Sequence, residues 1–282
     1  MQHFLSSEFP QSSPQDAHFH IIPVPLEESV SYGEGTYLGP AAILESSYQL
    51  EAHDGTSYPG ELGMHTADAV DCIGDIQASF KRIEDACTPV YKAAKIPIIL
   101  GGEHSLSIGP VRALHKLRQD FGVVQIDAHA DLRDSYEDSP HSHACVMRRI
   151  HELGIPIFQI GVRNLCKEEI DYRAEHNIPY LDAREIYQKG IPADLFPADF
   201  PKNIYLSFDV DGLDASLMPA TGTPEPGGLN WWQALELCEK AAHGRKVLGI
   251  DIVELAPQPA LHSSSYTAAK LTYALMGIAA RS

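Results

Sequence analysis

Seven short, almost unbroken apolar runs punctuate this chain, at 19-FHIIPV-24, 96-IPIIL-100, 121-FGVVQI-126, 156-PIFQI-160, 178-IPYL-181, 203-NIYLSF-208 and 246-KVLGIDIV-253. A strand with one wet face alternates apolar and polar residues. A run that is apolar at nearly every position suits a strand buried on both faces. Helical patterns fill the intervals, at 40–52, 76–94, 105–118, 143–153, 168–176, 231–242 and 265–280. This alternation predicts an α/β fold of three layers, α-β-α, around a mostly parallel central sheet. No Pro/Gly/Ser-rich linker divides the sequence, so one domain is expected over 1–282, with the polar segment 1–17 as a loose arm.

The 282 residues are 44% hydrophobic, enough for a substantial core. The net charge of −17, from 21 basic and 38 acidic residues, argues against nucleic acid and anionic membranes as partners and is compatible with a cationic substrate. No run approaches the ~20 apolar residues that cross a bilayer. The opening MQHFLSSEFPQSSPQD lacks a basic start and a long apolar stretch, so no targeting segment is expected. The five cysteines are scattered, without a C-x-x-C pair, which argues against a disulfide framework or a thiolate zinc site and favours a reducing cytoplasm.

In open α/β sheets ligands bind beyond the carboxyl ends of the strands, so the residues that follow each run carry the functional information. Leu100 is followed by Gly101-Gly102-Glu103-His104, Ile126 by Asp127-Ala128-His129-Ala130-Asp131, and Phe208 by Asp209-Val210-Asp211. If strand geometry persists, Asp127, His129 and Asp131 share one face, as do Asp209 and Asp211. The paired glycines let the backbone turn sharply before His104. Taken singly, each motif is commonplace; three together at expected strand ends point to a metal centre. Four carboxylates and two imidazoles exceed the needs of one divalent ion and suit two, bridged by carboxylates. Oxygen and nitrogen donors without thiolate favour manganese.

The segments LGGEHSLSIG (100–109), VVQIDAHAD (123–131) and SFDVDGLDASLMPATGTPEPGG (207–228) resemble, in order, the hallmark stretches of the ureohydrolases, the family of arginase, agmatinase and formimidoylglutamase. The likeness runs from about Pro25 to the C-terminus and implies the arginase/deacetylase-like fold. It further implies that His104, Asp127, Asp131 and Asp209 hold one manganese ion and Asp127, His129, Asp209 and Asp211 the other, giving two Mn2+ per chain and a metal-activated water as nucleophile. His143, in 142-SHACVMRRI-150, matches the family histidine that passes protons; its ordinary titration near neutrality suits protonation of the leaving amine. His141 is a rival two residues earlier. Glu254, in 251-DIVELAP-257, matches the glutamate that pairs with the substrate guanidinium, and Thr223 lies where the family lines the pocket. Family likeness also implies a homo-oligomer, trimer or hexamer.

Arginases grip the amino-acid head of arginine with a Ser-Gly-Asn stretch and a later aspartate. Here the first loop reads 132-LRDSYEDSPHSH-143, without that stretch, and Cys166 stands where the aspartate would be. Both departures point away from L-arginine, while the turn TPEPGG and the segment SHACVMRRI are similar to those of agmatinases, which implies agmatine, a small cationic guanidino substrate cleaved to putrescine and urea. Other guanidino compounds such as guanidinobutyrate and guanidinopropionate, arginine itself, and a catalytically silent polyamine-binding role are the alternatives. Two further departures are Glu103, where the first hallmark usually carries aspartate, and Leu44, where arginine is frequent in the N-terminal loop.

Overall fold

The computed structural model describes residues 3–282. Its strands are β1 (Phe19–Val24), β2 (Met64–Thr66), β3 (Ile96–Gly101), β4 (Gly122–Ile126), β5 (Ile157–Ile160), β6 (Tyr180–Leu181), β7 (Asn203–Asp209) and β8 (Lys246–Val253). They form one eight-stranded sheet in the order β2-β1-β3-β8-β7-β4-β5-β6. Every neighbouring pair is parallel, so the sheet is wholly rather than mostly parallel. The helices are α1 (Gly39–Ser47), α2 (Ile76–Lys92), α3 (Ile108–Leu117), α4 (Val146–His151), α5 (Lys167–His176), α6 (Ala183–Lys189), α7 (Trp231–Ala242) and α8 (His262–Ala280).

The unbroken apolar runs are explained by the two cores. Ile98 and Leu100 of β3, Val124 and Ile126 of β4, and Leu206 and Phe208 of β7 pack on one face with Leu271 and Leu275 of α8. Ile99, Val123 and Tyr205, at alternate positions on the same strands, pack on the other face with Ile83 of α2 and Val111 of α3. Each strand must be apolar on both sides because helices cover both sides. Helix entry is set locally: Asp75 caps α2 by accepting the N–H groups of Gln77 and Ala78, and Asn230 forms a capping box with Gln233 at the start of α7.

The crossover that follows β3 carries the chain past the centre of the sheet to β4, and β8 and β7 later fill the gap between them. The middle of the sheet is thus β3-β8-β7-β4, four adjacent strands whose C-terminal ends share one edge. That reversal of strand order is where a doubly wound sheet opens a crevice.

Three sequence expectations need correction. The segment 1–17 is not loose over its described part. Phe4 and Leu5 are buried, the Phe4 N–H donates to Thr66 Oγ1 at 3.0 Å, and the Leu5 N–H donates to Ser47 Oγ at 2.9 Å. Strand β2 was not anticipated, being three residues long and half polar. Helix α6 was also missed; it buries only Ala183 and Ile186, too few to show a period.

Candidate metal centre

The C-terminal ends of β3, β8, β7 and β4 deliver, respectively, His104, Glu254, the Asp209–Asp211 pair and the Asp127–Asp131 stretch. The side chains converge, though not by strand alternation. The β4 ladder stops at Ile126, and Asp131 reaches inward because its backbone is left-handed, with φ of 53°. Asp211 lies in a helical turn over Val210–Gly212, and its N–H donates to Asp209 Oδ1 at 2.8 Å. The glycines ahead of His104 serve close approach. A Cβ on Gly102 would stand 2.0 Å from the Leu26 carbonyl oxygen, and the Glu103 N–H donates to that same oxygen at 2.8 Å.

His104 Nδ1 lies 3.1 Å from Asp127 Oδ2, 3.0 Å from Asp131 Oδ2 and 3.4 Å from Asp209 Oδ2. His129 Nδ1 lies 3.0 Å from Asp211 Oδ2 and 3.6 Å from Asp127 Oδ1. Asp127 therefore turns one oxygen to each imidazole. Two cation-sized groups result, His104–Asp127–Asp209 and Asp127–His129–Asp211, joined through Asp127.

The residues fit divalent cations. Burial is the first cause that drives the carboxyls of Asp131, Asp209 and Asp211 above the usual range, and the negative charge of neighbouring aspartates, Asp127 for all three, adds to it. Asp127 is driven up by the same burial, but His104 and His129 pull it well below the usual range. Burial depresses both imidazoles, yet the surrounding aspartates win: His104 rises well above its ordinary value and His129 to about 12. Protons on two rings thus stand where cationic charge is needed. His104 Nδ1, aimed into the carboxylates, is a buried atom with no hydrogen-bond partner.

The surrounding shell was only partly visible in the sequence. His104 Nε2 is 2.8 Å from Ser207 Oγ, which donates to Asp251 Oδ1 at 2.7 Å. Asp251 also accepts from Ser107 Oγ at 2.7 Å and Tyr205 OH at 2.8 Å. That network fixes the imidazole so that Nδ1 faces the carboxylates of Asp127, Asp131 and Asp209. Its signal was the one carboxylate inside the apolar run 246–253. Glu103 is wholly buried and turns away from the metal positions. Its Oε2 accepts the Glu28 N–H at 2.5 Å and the Ser29 N–H at 2.6 Å, and Oε1 accepts the hydroxyls of Ser29 and Ser105. Ser29 Oγ in turn accepts the His143 N–H at 2.9 Å.

The aspartates Asp131, Asp209 and Asp211 open on a cavity whose wall also includes His143, Glu254, Thr223, Arg133 and Cys166. His143 Nδ1 is 3.3 Å from Glu254 Oε1, which also accepts the His104 N–H at 2.6 Å. Burial lowers the His143 pKa, but Glu254 more than reverses this and raises it to about 9, not near neutrality as its ordinary value implies. Glu254 itself is left-handed, with φ of 65°. Two such non-glycine residues at one site store strain of ~1–3 kcal/mol each. Thr223 Oγ1 is 3.5 Å from Asp211 Oδ2, at the limit of a hydrogen bond. The rival His141 packs against Phe80, with ring centroids 6.0 Å apart, and takes no part in the cavity wall. Leu44, the other departure, packs against the core.

The wholly parallel α/β sheet places a buried carboxylate–imidazole cradle, a candidate divalent-cation site, at its central strand ends. The chain belongs to the arginase family, whose sequence model matches residues 17–277. It is a hydrolase acting on C–N bonds of amidines. It is 41% identical to the N(1)-aminopropylagmatine ureohydrolase of Synechocystis sp., over 97% of this chain and 92% of that protein. It is 37% identical to the agmatinase of Pyrococcus horikoshii, over 97% of this chain and 96% of that one. The solved agmatine ureohydrolase of Thermoplasma volcanium superposes with a TM-score of 0.87 at 30% identity, covering 96% of this chain and 92% of the other. Among the described residues no helix is long and apolar enough to cross a membrane.

Proposed function

We propose that this protein uses two manganese ions to hydrolyse the guanidino group of agmatine, releasing urea and putrescine. The observation that carries the reading is the shared carboxylate of Asp127 between two imidazole–aspartate groups, with Glu254 and His143 facing the cavity beside it. We assign His104, Asp127, Asp131 and Asp209 to one ion and Asp127, His129, Asp209 and Asp211 to the other. Bound there, the ions would supply a water acidified enough to act as a nucleophile at neutral pH.

The chain's own groups would do the rest. Glu254 offers a carboxylate to the guanidinium, a planar two-pronged partner. His143 carries a proton at neutral pH and delivers it to the departing amine. Thr223 lines the pocket beside Asp211.

A second reading, agmatine extended by an aminopropyl arm on its far amine, is favoured by two observations. The relatives at 41% and 38% identity carry that substrate in their names. The chain just beyond the lining residues Ser31 and Tyr136 also exposes Glu34, Glu137 and Asp138, none of which has a basic partner among the described residues. A second ammonium would find acceptors there. Urea release with manganese from agmatine, N(1)-aminopropylagmatine, 4-guanidinobutyrate and L-arginine tests both. The first two should lead, and a lead for either acid would contradict the proposal. A homo-oligomer in the cytoplasm, where the five free cysteines stay reduced, completes the reading.

A further inference from the structure

Beneath Asp127, on the side away from the cavity, a line of buried polar side chains crosses two strands and ends at a guanidinium. Gln125 of β4 donates from Nε2 to Asp127 Oδ2 at 2.7 Å and to the His129 carbonyl at 3.3 Å. Gln159, its neighbour in register on β5, donates from Nε2 to Gln125 Oε1 and to the Ala130 carbonyl, the latter at 2.6 Å. Arg173 of α5 donates from Nε to Gln159 Oε1 at 2.7 Å. Both glutamines are wholly buried, and Arg173 is 5% exposed. Arg173 is held by Asp182, with Nη1 at 3.1 Å from Oδ1, and stacks over Tyr180 at 4.5 Å.

The line has a direction. A carboxamide can present either oxygen or nitrogen, so a glutamine pair alone could point either way. A guanidinium has only donors, so the Gln159 atom that meets Arg173 must be oxygen, which leaves its nitrogen for Gln125. Gln125 must then accept with its oxygen and donate with its nitrogen, and the group that reaches Asp127 is always N–H. The reverse orientation would set a carbonyl oxygen against the one carboxylate shared by both ion positions. The same two amide groups hold the carbonyls of His129 and Ala130, and so the backbone of the ligand loop.

We infer that Arg173, Gln159 and Gln125 form a one-way positioning relay that fixes the Asp127 carboxylate for the ion pair. The inference rests on the two-ion reading. Arg173 and Gln159 are positioning residues: they act through Gln125 and touch neither ion position. Direct partners of metal ligands, the place Gln125 takes beside Asp127, typically change metal affinity by about 10–100-fold.

The test is Gln159→Glu. Its carboxylate still accepts from Arg173 but has no proton for Gln125 Oε1 or the Ala130 carbonyl. Gln125 must then turn its nitrogen toward residue 159 and its oxygen toward Asp127. Calorimetric titration of the metal-free proteins with manganese is the readout, beside the thermal midpoint of each metal-free protein. The relay predicts manganese binding about 10–100-fold weaker than wild type, measured well below the metal-free midpoint of each variant, which the buried groups left unpaired will lower. Gln159→Met, similar in size and uncharged, should show the same direction of loss and serves if the glutamate variant fails to fold. Wild-type manganese affinity in either folded variant overturns the relay. So does weaker binding seen only where the metal-free variant is already partly unfolded. Absence of manganese binding by the wild-type protein would instead overturn the two-ion reading on which the relay depends.

Discussion

His143 Nδ1 sits 3.3 Å from Glu254 Oε1, and both side chains are largely buried at the inner wall of the cavity. Burial alone would strip the imidazole of its proton; the carboxylate keeps it there, to about pH 9 against an ordinary 6.5. Because the folded value is the higher one, the pair contributes stability in full below about pH 6.5 and loses it as the pH rises through about 9. Titration of the His143 ring by NMR in the metal-free protein should show a midpoint displaced upward, and Glu254→Gln should return it toward or below 6.5. A His143 midpoint unchanged by Glu254→Gln would sever the pair. In activity, His143→Asn should lower turnover while leaving manganese content intact.

Glu103→Asp should cost about 1–3 kcal/mol, because withdrawing the carboxylate by one methylene leaves the Glu28 and Ser29 N–H groups without their buried acceptor. Ser29 is also what holds the His143 backbone. Denaturant unfolding should therefore show the loss, and turnover should fall several-fold at full metal loading. Unchanged stability would mean the 28–31 loop does not depend on Glu103.

Agmatine should be turned over roughly a hundredfold or more better than L-arginine. Burying an unmatched polar group costs ~1–3 kcal/mol, and each 1.4 kcal/mol is about tenfold in rate. The cavity wall does contain one cation the sequence argument passed over: Arg133, stacked on Tyr136 at 4.9 Å and without a carboxylate partner among the described residues. It opposes a cationic tail and would welcome an acidic one. Arg133→Ala should thus lower the KM for agmatine, or leave it unchanged, and remove whatever residual activity 4-guanidinobutyrate shows. A large rise in KM for agmatine alone would show that Arg133 serves that substrate in some other way.

How much of this was legible follows from the range of the forces involved. The strands could be read because burial on both faces leaves runs such as 96–100 apolar throughout, a local signature of a global fact. The carboxylates and imidazoles of the candidate site could be read because chemistry collects where those runs stop. Asp131 does join Asp127 as alternation suggests, but through a left-handed residue after the strand ends rather than through the strand pleat. The burial of Phe4 and Leu5 depends on Thr66 and Ser47, partners 62 and 42 residues away that no local pattern reveals. Gln125, Gln159 and Arg173 each look unremarkable in sequence; only the sheet register and α5 bring them into line.

Asp127→Ala should abolish activity, and His129→Ala should reduce it less, since Asp127 faces both imidazoles and His129 belongs to one group. Near-normal turnover in Asp127→Ala would rule out its bridging position.

Manganese content per chain tests the account at its centre. The protein is loaded with excess manganese, freed of unbound metal and analysed for metal and protein together, with urea release from agmatine measured on the same sample. Two ions per active chain in the wild type, and fewer than two in Asp127→Ala, is the predicted result. One ion or none in a wild-type sample that still releases urea would contradict it.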